Sequence, residues 1–460
     1  MADATLKRLL VANRGEIALR VIRAARDLGI ETVLAASAAD RDSLPAREAT
    51  RTVVIGPGPA RASYLDAKLI LHAAVATGCD SLHPGYGFLS ERAELAALCD
   101  ENDVIFVGPT AAQIQRVGDK ISARAVARAA GVPMVSGSEK VASTEDALRI
   151  AGEIGYPVIT KASAGGGGRG MLVSHDAEAL AAGFERASNE AREAFGDGTL
   201  FLERYVEHAR HIEVQVVGDG AGMVLHFGER DCSIQRRYQK MVEEAPADIL
   251  PVAVRARLHV AAVELLASIA YRNAGTVEFL YDVDRQEFSF MEVNARIQVE
   301  HPVSEAITGT DLIRTQLLVA SGRGLAMTQD AIVPRGHAIE MRVIAEDPDG
   351  DFAPSPGRIT RWDAPAGEGV RVDTAMQTGT LVPPFYDSMI AKLIVHAADR
   401  DAAVARLVAA LDGFAVEGIA TNLPLLRFIA AHPDFIANRF DTRWLERTLL
   451  PAWRARQESR

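Results

Sequence analysis

Two glutamates past the middle of the sequence, Glu278 and Glu292, have the spacing of metal ligands. Thr276–Tyr281 and Phe288–Asn294 read as two strands joined by a polar turn, a hairpin. Side chains alternate faces along a strand, so Glu292 and Asn294 share one face with Phe290. If Tyr281 pairs with Ser289, Glu278 falls opposite Glu292. Opposed carboxylates repel. A divalent cation between them removes that penalty, and Mg²⁺ favours one or two carboxylates plus substrate phosphates. The alternative is two solvated glutamates on an exposed strand, a face that would not normally carry Phe288 and Phe290.

Directly downstream, Arg296-Ile297-Gln298-Val299-Glu300-His301-Pro302 brings a planar fork donor, an amide and a carboxylate within five residues. Upstream, Gln235-Arg236-Arg237-Tyr238-Gln239-Lys240 is a dense cationic stretch in an acidic chain. Of the 50 cationic residues only seven are lysine: Lys7, Lys68, Lys120, Lys140, Lys161, Lys240 and Lys392. A lysine supplies a compact, rotatable point charge that a guanidinium cannot imitate. Each of the seven is therefore a candidate for a specific task, set against the plainer reading of composition bias.

A third feature could hold phosphate. Gly165-Gly166-Gly167-Gly168-Arg169-Gly170 lets backbone N–H groups approach an anion closely. Gly-Lys-Ser/Thr is absent, so it is not a P-loop. The lysine instead precedes it, at Lys161 on the edge of an apolar strand. A strand–glycine loop–strand hairpin suits a cover over a nucleotide; a plain surface hairpin with a mobile tip is the alternative.

The elements that must position these residues begin with β-α-β: a strand at Leu9–Ala12, a helix at Glu16–Leu28, a strand at Ile30–Ala36. Alternation to about Gly108 predicts a doubly wound first domain of about 115 residues. It lacks a G-x-G-x-x-G turn, which argues against a dinucleotide site. Residues from about 130 to 203 read as a small separate unit, with strands at Pro157–Thr160 and Met171–Ser174. A larger α+β region follows, with a long helix predicted at Ala256–Asn273. From about His337 come Pro- and Gly-rich turns and a helical end.

Composition narrows the class. The chain has 460 residues, 48% apolar and 24% charged, ordinary for a globular protein of two to four domains. Its net charge of −11 argues against general nucleic-acid binding. No apolar run is long enough for a membrane span, the start lacks a secretory pattern, and three scattered cysteines suggest neither zinc nor disulfides. The expectation is a cytoplasmic protein without membrane or nucleic-acid partners.

Leu10-Val11-Ala12-Asn13-Arg14-Gly15-Glu16-Ile17-Ala18, His83-Pro84-Gly85-Tyr86-Gly87-Phe88-Leu89-Ser90-Glu91 and Lys161-Ala162-Ser163 with its glycine loop resemble biotin carboxylase. So do Glu229–Arg237, Glu243-Glu244-Ala245-Pro246 and Arg296–Pro302, and the resemblance runs from about residue 6 to 450. It implies an α/β and α+β multidomain fold of the ATP-grasp superfamily. A Rossmann-like pre-ATP-grasp domain would span 1–115, and an ATP-grasp domain 116–330, with its lid at about 131–203. A C-terminal biotin carboxylase domain would take 331–450. The implied reaction phosphorylates bicarbonate with ATP to carboxyphosphate, then carboxylates biotin held covalently on a carrier protein.

By the same resemblance, Lys120, Lys161, Gly167 and Gly168 contact ATP phosphates. Glu203, Arg204 and the hinge to Val206 hold adenine, while His211, Gln235 and Tyr238 lie beside the nucleotide. Glu278 and Glu292 match the ligands of Mg²⁺ or Mn²⁺, with Asn294 near a second ion. Lys240, Arg296, Gln298, Val299 and Glu300 match the bicarbonate site, with Glu300 as the base. Arg342 and Tyr86 match the biotin side, Arg342 stabilising the enolate-like form. The implied partners are a biotin carboxyl carrier protein, carboxyltransferase subunits and a second copy of the chain. Acetyl-CoA carboxylase is the expected system; other acyl-CoA, pyruvate and urea carboxylases are the alternatives.

Three positions depart from the family pattern: Tyr238 for the common His, Ala295 for Thr, and Thr160 for an aliphatic residue. The resemblance consumes nearly all 460 residues, and no Met-Lys dipeptide occurs. The expectation is one component of a multisubunit enzyme.

Overall fold

The computed structural model describes residues 6–138, 140–141, 143–162, 171–195 and 198–458. It divides into two compact units. The larger takes residues up to Val132, Arg210–Tyr281 and Met291 onward; the smaller takes Pro133–Ala209 and Asp282–Phe290.

The larger unit opens with a parallel sheet of β1 (Arg8–Val11), β2 (Glu31–Ala36), β3 (Arg51–Val54), β4 (Ser81–His83) and β5 (Ile105–Phe106). The spatial order is β3-β2-β1-β4-β5, the doubly wound arrangement expected. Parallel neighbours need crossovers, and helix Gly15–Asp27 supplies the first, burying Ile17, Val21, Ile22 and Ala25. The order reverses between β1 and β4, the point where such sheets place ligands. There Asn13 Nδ2 donates to the carbonyls of Pro84 and Tyr86, each at 2.8 Å. A Cβ on Gly85 would lie 2.7 Å from that nitrogen, so only glycine fits beneath the clamp. Two sequence motifs 70 residues apart thus become one corner.

The smaller unit holds β6 (Val158–Ala162), β7 (Leu172–Ser174) and β8 (Leu200–Arg204), antiparallel in the order β7-β6-β8. Helices Thr144–Ile154 and Ala177–Phe195 cover it, packing Ala147, Ala151, Leu180 and Phe184 against Val158, Leu200 and Leu202. The predicted strand pair flanking the glycine loop is present; residues 163–170 themselves lie outside the described residues.

The second sheet has eight strands. In chain order they are β9 (Ala209–Asp219), β10 (Val224–Arg236), β11 (Gln239–Ala245), β12 (Arg272–Asp282), β13 (Glu287–Asn294), β14 (His337–Ile344), β15 (Val370–Thr374) and β16 (Met389–Ala397). Their spatial order is β13-β12-β9-β10-β11-β14-β16-β15. The predicted hairpin is β12–β13. The predicted helix at 256–273 is misplaced: it runs Val252–Ala267, starting after Pro251. It stops because Ala270 takes a positive φ of 47° and the Tyr271 N–H turns back to the Leu266 carbonyl. Arg272 and Asn273 are already strand. Among the described residues no helix is long and apolar enough to cross a membrane.

The β11-β14-β16-β15 half of this sheet has two unlike faces. Val242, Ile339, Met341, Leu393 and Val395 pack against Leu407, Leu411 and Leu426 of the C-terminal helices. The alternate positions carry Glu243, Glu340, Arg342 and Lys392, with Ala338 and Ile394 among them. Glu243 stands opposite Glu340, and Arg342 opposite Lys392, which stands opposite Asp373. Like charges directly opposed are unfavourable, so the stabilising contacts are diagonal, as in Arg342 to Glu243.

At the edge of this region Glu244 is bidentate to Arg400, at 2.8 and 2.9 Å, and lies 2.9 Å from His337 Nε2. Burial pushes His337 down, but Asp248 and Glu244 outweigh it and raise its pKa to about 9. A folded-state value above the ordinary 6.5 means stability fully present below pH 6.5 and lost as pH rises through 9. His337→Gln should therefore lower the unfolding free energy most at pH 6, by on the order of 2 kcal/mol. The gap from the unaltered protein should close by pH 9.5; urea unfolding at both pH values checks this.

Candidate active site

Glu300 immediately precedes helix His301–Thr308, whose Val303 and Ile307 pack with Ala245, Ala338 and Ile394 on the charged face of the sheet. That packing lowers the Glu300 carboxylate between two cations. Lys240 Nζ donates to one oxygen at 2.8 Å, and Arg342 Nη2 to the other at 3.1 Å. Arg342 also donates through Nε to Glu243 at 2.6 Å. Burial alone would raise the Glu300 pKa; Lys240, Arg342 and Arg230 outweigh it and hold the group well below the usual carboxylate range. These cations thus favour the carboxylate over the carboxylic acid.

Lys240 is the hub. Besides Glu300 it donates to Glu213 at 2.6 Å and to Glu278 at 2.9 Å. Burial opposes its charge, but Glu213 and Glu300 hold its pKa well above the ordinary lysine value. Arg230, fully buried, balances the same cluster through Glu213 at 2.5 Å and bonds Gln215 and Ser304. A guanidinium at 240 could not spread three short bonds over three separate carboxylates from one atom.

Arg296 is fixed from three sides. Its Nε donates to Glu91 at 2.9 Å, Nη1 to Gln298 Oε1 at 2.7 Å, and Nη2 to Asn294 Oδ1 at 3.2 Å. Glu91 also accepts from the Ala295 N–H at 3.1 Å, a backbone contact that does not depend on the side chain at 295. The oriented fork suits a planar oxyanion.

Glu278 is buried. Its Oε1 accepts from Asn294 Nδ2 at 2.9 Å and its Oε2 lies 3.1 Å from His211 Nε2. Glu292 reaches solvent, yet partial desolvation and the Glu278 charge push its carboxyl up, with Lys120 opposing. Two mutually repelling carboxylates are hard oxygen donors of the kind that suits Mg²⁺ or Mn²⁺, while Asn294 turns its NH₂ to Glu278 and its oxygen to Arg296.

The residues expected at the nucleotide fall in both compact units. In the larger, Lys120 begins helix Lys120–Ala129, and Gln235 Nε2 donates to the Cys232 carbonyl at 2.7 Å. Tyr238 is 83% exposed at the β10–β11 turn, where it and Arg237 take φ of 67° and 47°. Two such residues are the mark of a tight hairpin turn. In the smaller unit, Lys161 bonds Glu203 at 2.6 Å, Arg204 bonds Glu287 at 2.9 Å, and Val206 follows β8. Thr160 is buried, its hydroxyl without a hydrogen-bond partner among the described residues. Gly167 and Gly168 lie outside the described residues. Back in the larger unit, the hydroxyl of half-buried Tyr86 donates to Glu16.

Residues 5–114, 119–328 and 340–447 match, in turn, three family models. These are the biotin carboxylase N-terminal domain, the carbamoyl-phosphate synthase L chain ATP-binding domain, and the biotin carboxylase C-terminal domain. Biotin carboxylase 1 of Bacillus subtilis is 49% identical over 96% of this chain and 98% of its own. The chain belongs to the biotin carboxylase family. It is an ATP-dependent ligase with the family's multidomain α/β fold. Among other biotin carboxylase relatives, one pyruvate carboxylase subunit from Methanothermobacter thermautotrophicus is 46% identical over 95% of this chain and 89% of that one. The biotin carboxylase domain dimer of Hydrogenobacter thermophilus 2-oxoglutarate carboxylase, solved with MgADP, ADP and bicarbonate, has a TM-score of 0.85. It is 46% identical, covering 96% of this chain and 97% of that one.

Four residues that bond the expected site residues or their partners were not among those expected: Glu91, Glu213, Arg230 and Glu243. A signal existed for Glu213. His211, Glu213 and Gln215 alternate with Ile212, Val214 and Val216, which marks a polar face over that stretch.

Proposed function

We propose that this biotin carboxylase runs the first half-reaction of a multisubunit carboxylase, using ATP and bicarbonate to carboxylate biotin on a separate carrier protein. The observation that carries the proposal is the bracketing of Glu300 by Lys240 and Arg342 beside the oriented fork of Arg296. Arg296, Gln298 and the Val299 backbone hold bicarbonate, and Lys240 offsets its charge. Glu300 takes the bicarbonate proton, freeing an oxygen to attack the γ-phosphorus of ATP; ADP leaves and carboxyphosphate forms.

Lys120, Lys161, Gly167 and Gly168 neutralise and orient the phosphates. Glu203, Arg204, Val206, His211, Gln235 and Tyr238 frame the nucleoside. Glu278, Glu292 and Asn294 would hold two Mg²⁺ or Mn²⁺ ions, which supply charge compensation at the phosphates. Arg342 then stabilises the enolate-like ureido form of biotin, with Tyr86 beside the ring. The domains follow the limits 1–115, 116–330 (lid about 131–203) and 331–450.

The partners are a biotinylated carrier, carboxyltransferase subunits and a second copy of the chain, in the cytoplasm. Acetyl-CoA is our proposed final acceptor. A biotin carboxylase and a pyruvate carboxylase component resemble the chain almost equally, so the transferase partner decides, and co-purification of the biotinylated carrier with its transferase tests it. The reaction itself is tested by ATP hydrolysis with and without bicarbonate. Turnover should require bicarbonate and rise with free biotin; hydrolysis indifferent to both would sink the reading.

A further inference from the structure

Lys392 has no role in the reaction as derived so far, yet its surroundings adjoin the base. It lies on β16, fully buried, on the charged face. Lysines are almost never fully buried unless paired. Its Nζ lies 3.1 Å from Glu16 Oε1 and 3.8 Å from Asp373 Oδ2, enough to compensate one ammonium. A further bond goes elsewhere: Nζ donates to the Val299 carbonyl at 2.9 Å.

That carbonyl and the Glu300 N–H belong to one planar peptide unit. Glu300 sits with φ −81° and ψ 10° at the entrance to helix His301–Thr308. Holding the Val299 carbonyl therefore fixes the plane from which the Glu300 side chain departs. On its other side Lys392 continues through Glu16 to the Tyr86 hydroxyl. A compact ammonium can serve three acceptors in three directions, which a planar fork cannot. In a chain where seven of 50 cations are lysine, this position is one of the seven.

We propose that Lys392 is a positioning residue for Glu300, and that the chain Tyr86–Glu16–Lys392–Val299 couples the biotin side of the site to its base. The proposal rests on the reading of Glu300 as the proton acceptor for bicarbonate. A merely structural ion cluster predicts something different. Buried ion pairs can be replaced by apolar groups with little loss of stability, provided no charge is left alone. Lys392→Met strands the Glu16 carboxylate; Lys392→Met with Glu16→Gln removes that charge as well.

The test compares both variants with the unaltered chain in steady-state ATP hydrolysis, varying bicarbonate and MgATP separately, alongside thermal unfolding. Both variants should lose about tenfold or more in kcat/KM for bicarbonate, the scale of a small misplacement of a reacting group. The KM for MgATP should stay within about twofold, since the nucleotide residues are not displaced. The double variant should regain the unfolding midpoint lost by Lys392→Met but not the bicarbonate kinetics. A double variant with ordinary bicarbonate kinetics overturns the proposal. So does failure of both variants to fold, which makes the role structural. Absence of bicarbonate-dependent turnover in the unaltered chain removes the reading of Glu300 itself, and the proposal with it.

Discussion

Glu300→Gln should reduce bicarbonate-dependent ATP turnover by about 10²–10⁴-fold, the range lost with a general base. Glutamine preserves the shape of the side chain, and its single amide oxygen can still accept from one of the two cations, Lys240 or Arg342. It cannot take a proton. The fold should survive, because Lys240 keeps Glu213 and Glu278 as partners, and Arg342 keeps Glu243. MgATP binding, followed by titration calorimetry, should be unchanged, since the proposed phosphate and adenine residues are other side chains. Turnover persisting at its ordinary rate would falsify the assignment of Glu300 as the base.

Lys240→Gln should produce two effects of different origin. The first is on stability. Glu213, Glu278 and Glu300 converge on one ammonium at 2.6–2.9 Å. Removing the cation from a buried cluster costs about 3–5 kcal/mol, because the remaining charges are left uncompensated. Arg230 and Arg342 still hold Glu213 and Glu300, which keeps the loss toward the lower figure. A lowered chemical-denaturation midpoint reads this directly. The second effect is kinetic: the KM for bicarbonate should rise at least about tenfold, the scale of losing a charged hydrogen bond to an anionic substrate. A variant that folds and shows unchanged bicarbonate dependence would remove Lys240 from the bicarbonate site.

Local signals were legible and long-range pairings were not. The β-α-β opening, the β12–β13 hairpin and the strands flanking the glycine loop follow from periodicity and turn residues within short windows. Arg296, Gln298 and Glu300 sit in one unbroken motif, so their joint appearance at the site needed no knowledge of the fold. Glu213, Arg230 and Lys240 meet only because β9, β10 and β11 are neighbours, with β-bulges shifting register along β10. No pattern in a single sequence specifies those shifts. Lys392 is the sharper case. Its rarity marked it as unusual, but Glu16, Val299 and Asp373 come to it from three separate segments. The helix after Pro251 shows a further limit. Its apolar spacing continues past residue 267, and the competing demand of the β12 ladder ends it.

The two-faced strands have a consequence for how this enzyme tolerates change. On β14 and β16, Ile339, Met341, Leu393 and Val395 fill the C-terminal core, while Glu340, Arg342 and Lys392 alternate with them. A methyl group added to or removed from the greasy side must be absorbed by moving backbone, because the interior is close-packed. That same backbone aims the guanidinium and the ammonium on the other side. Repacking far from any substrate will thus surface as altered kinetics before it surfaces as unfolding, and variation in these strands has to proceed by paired replacements across the core.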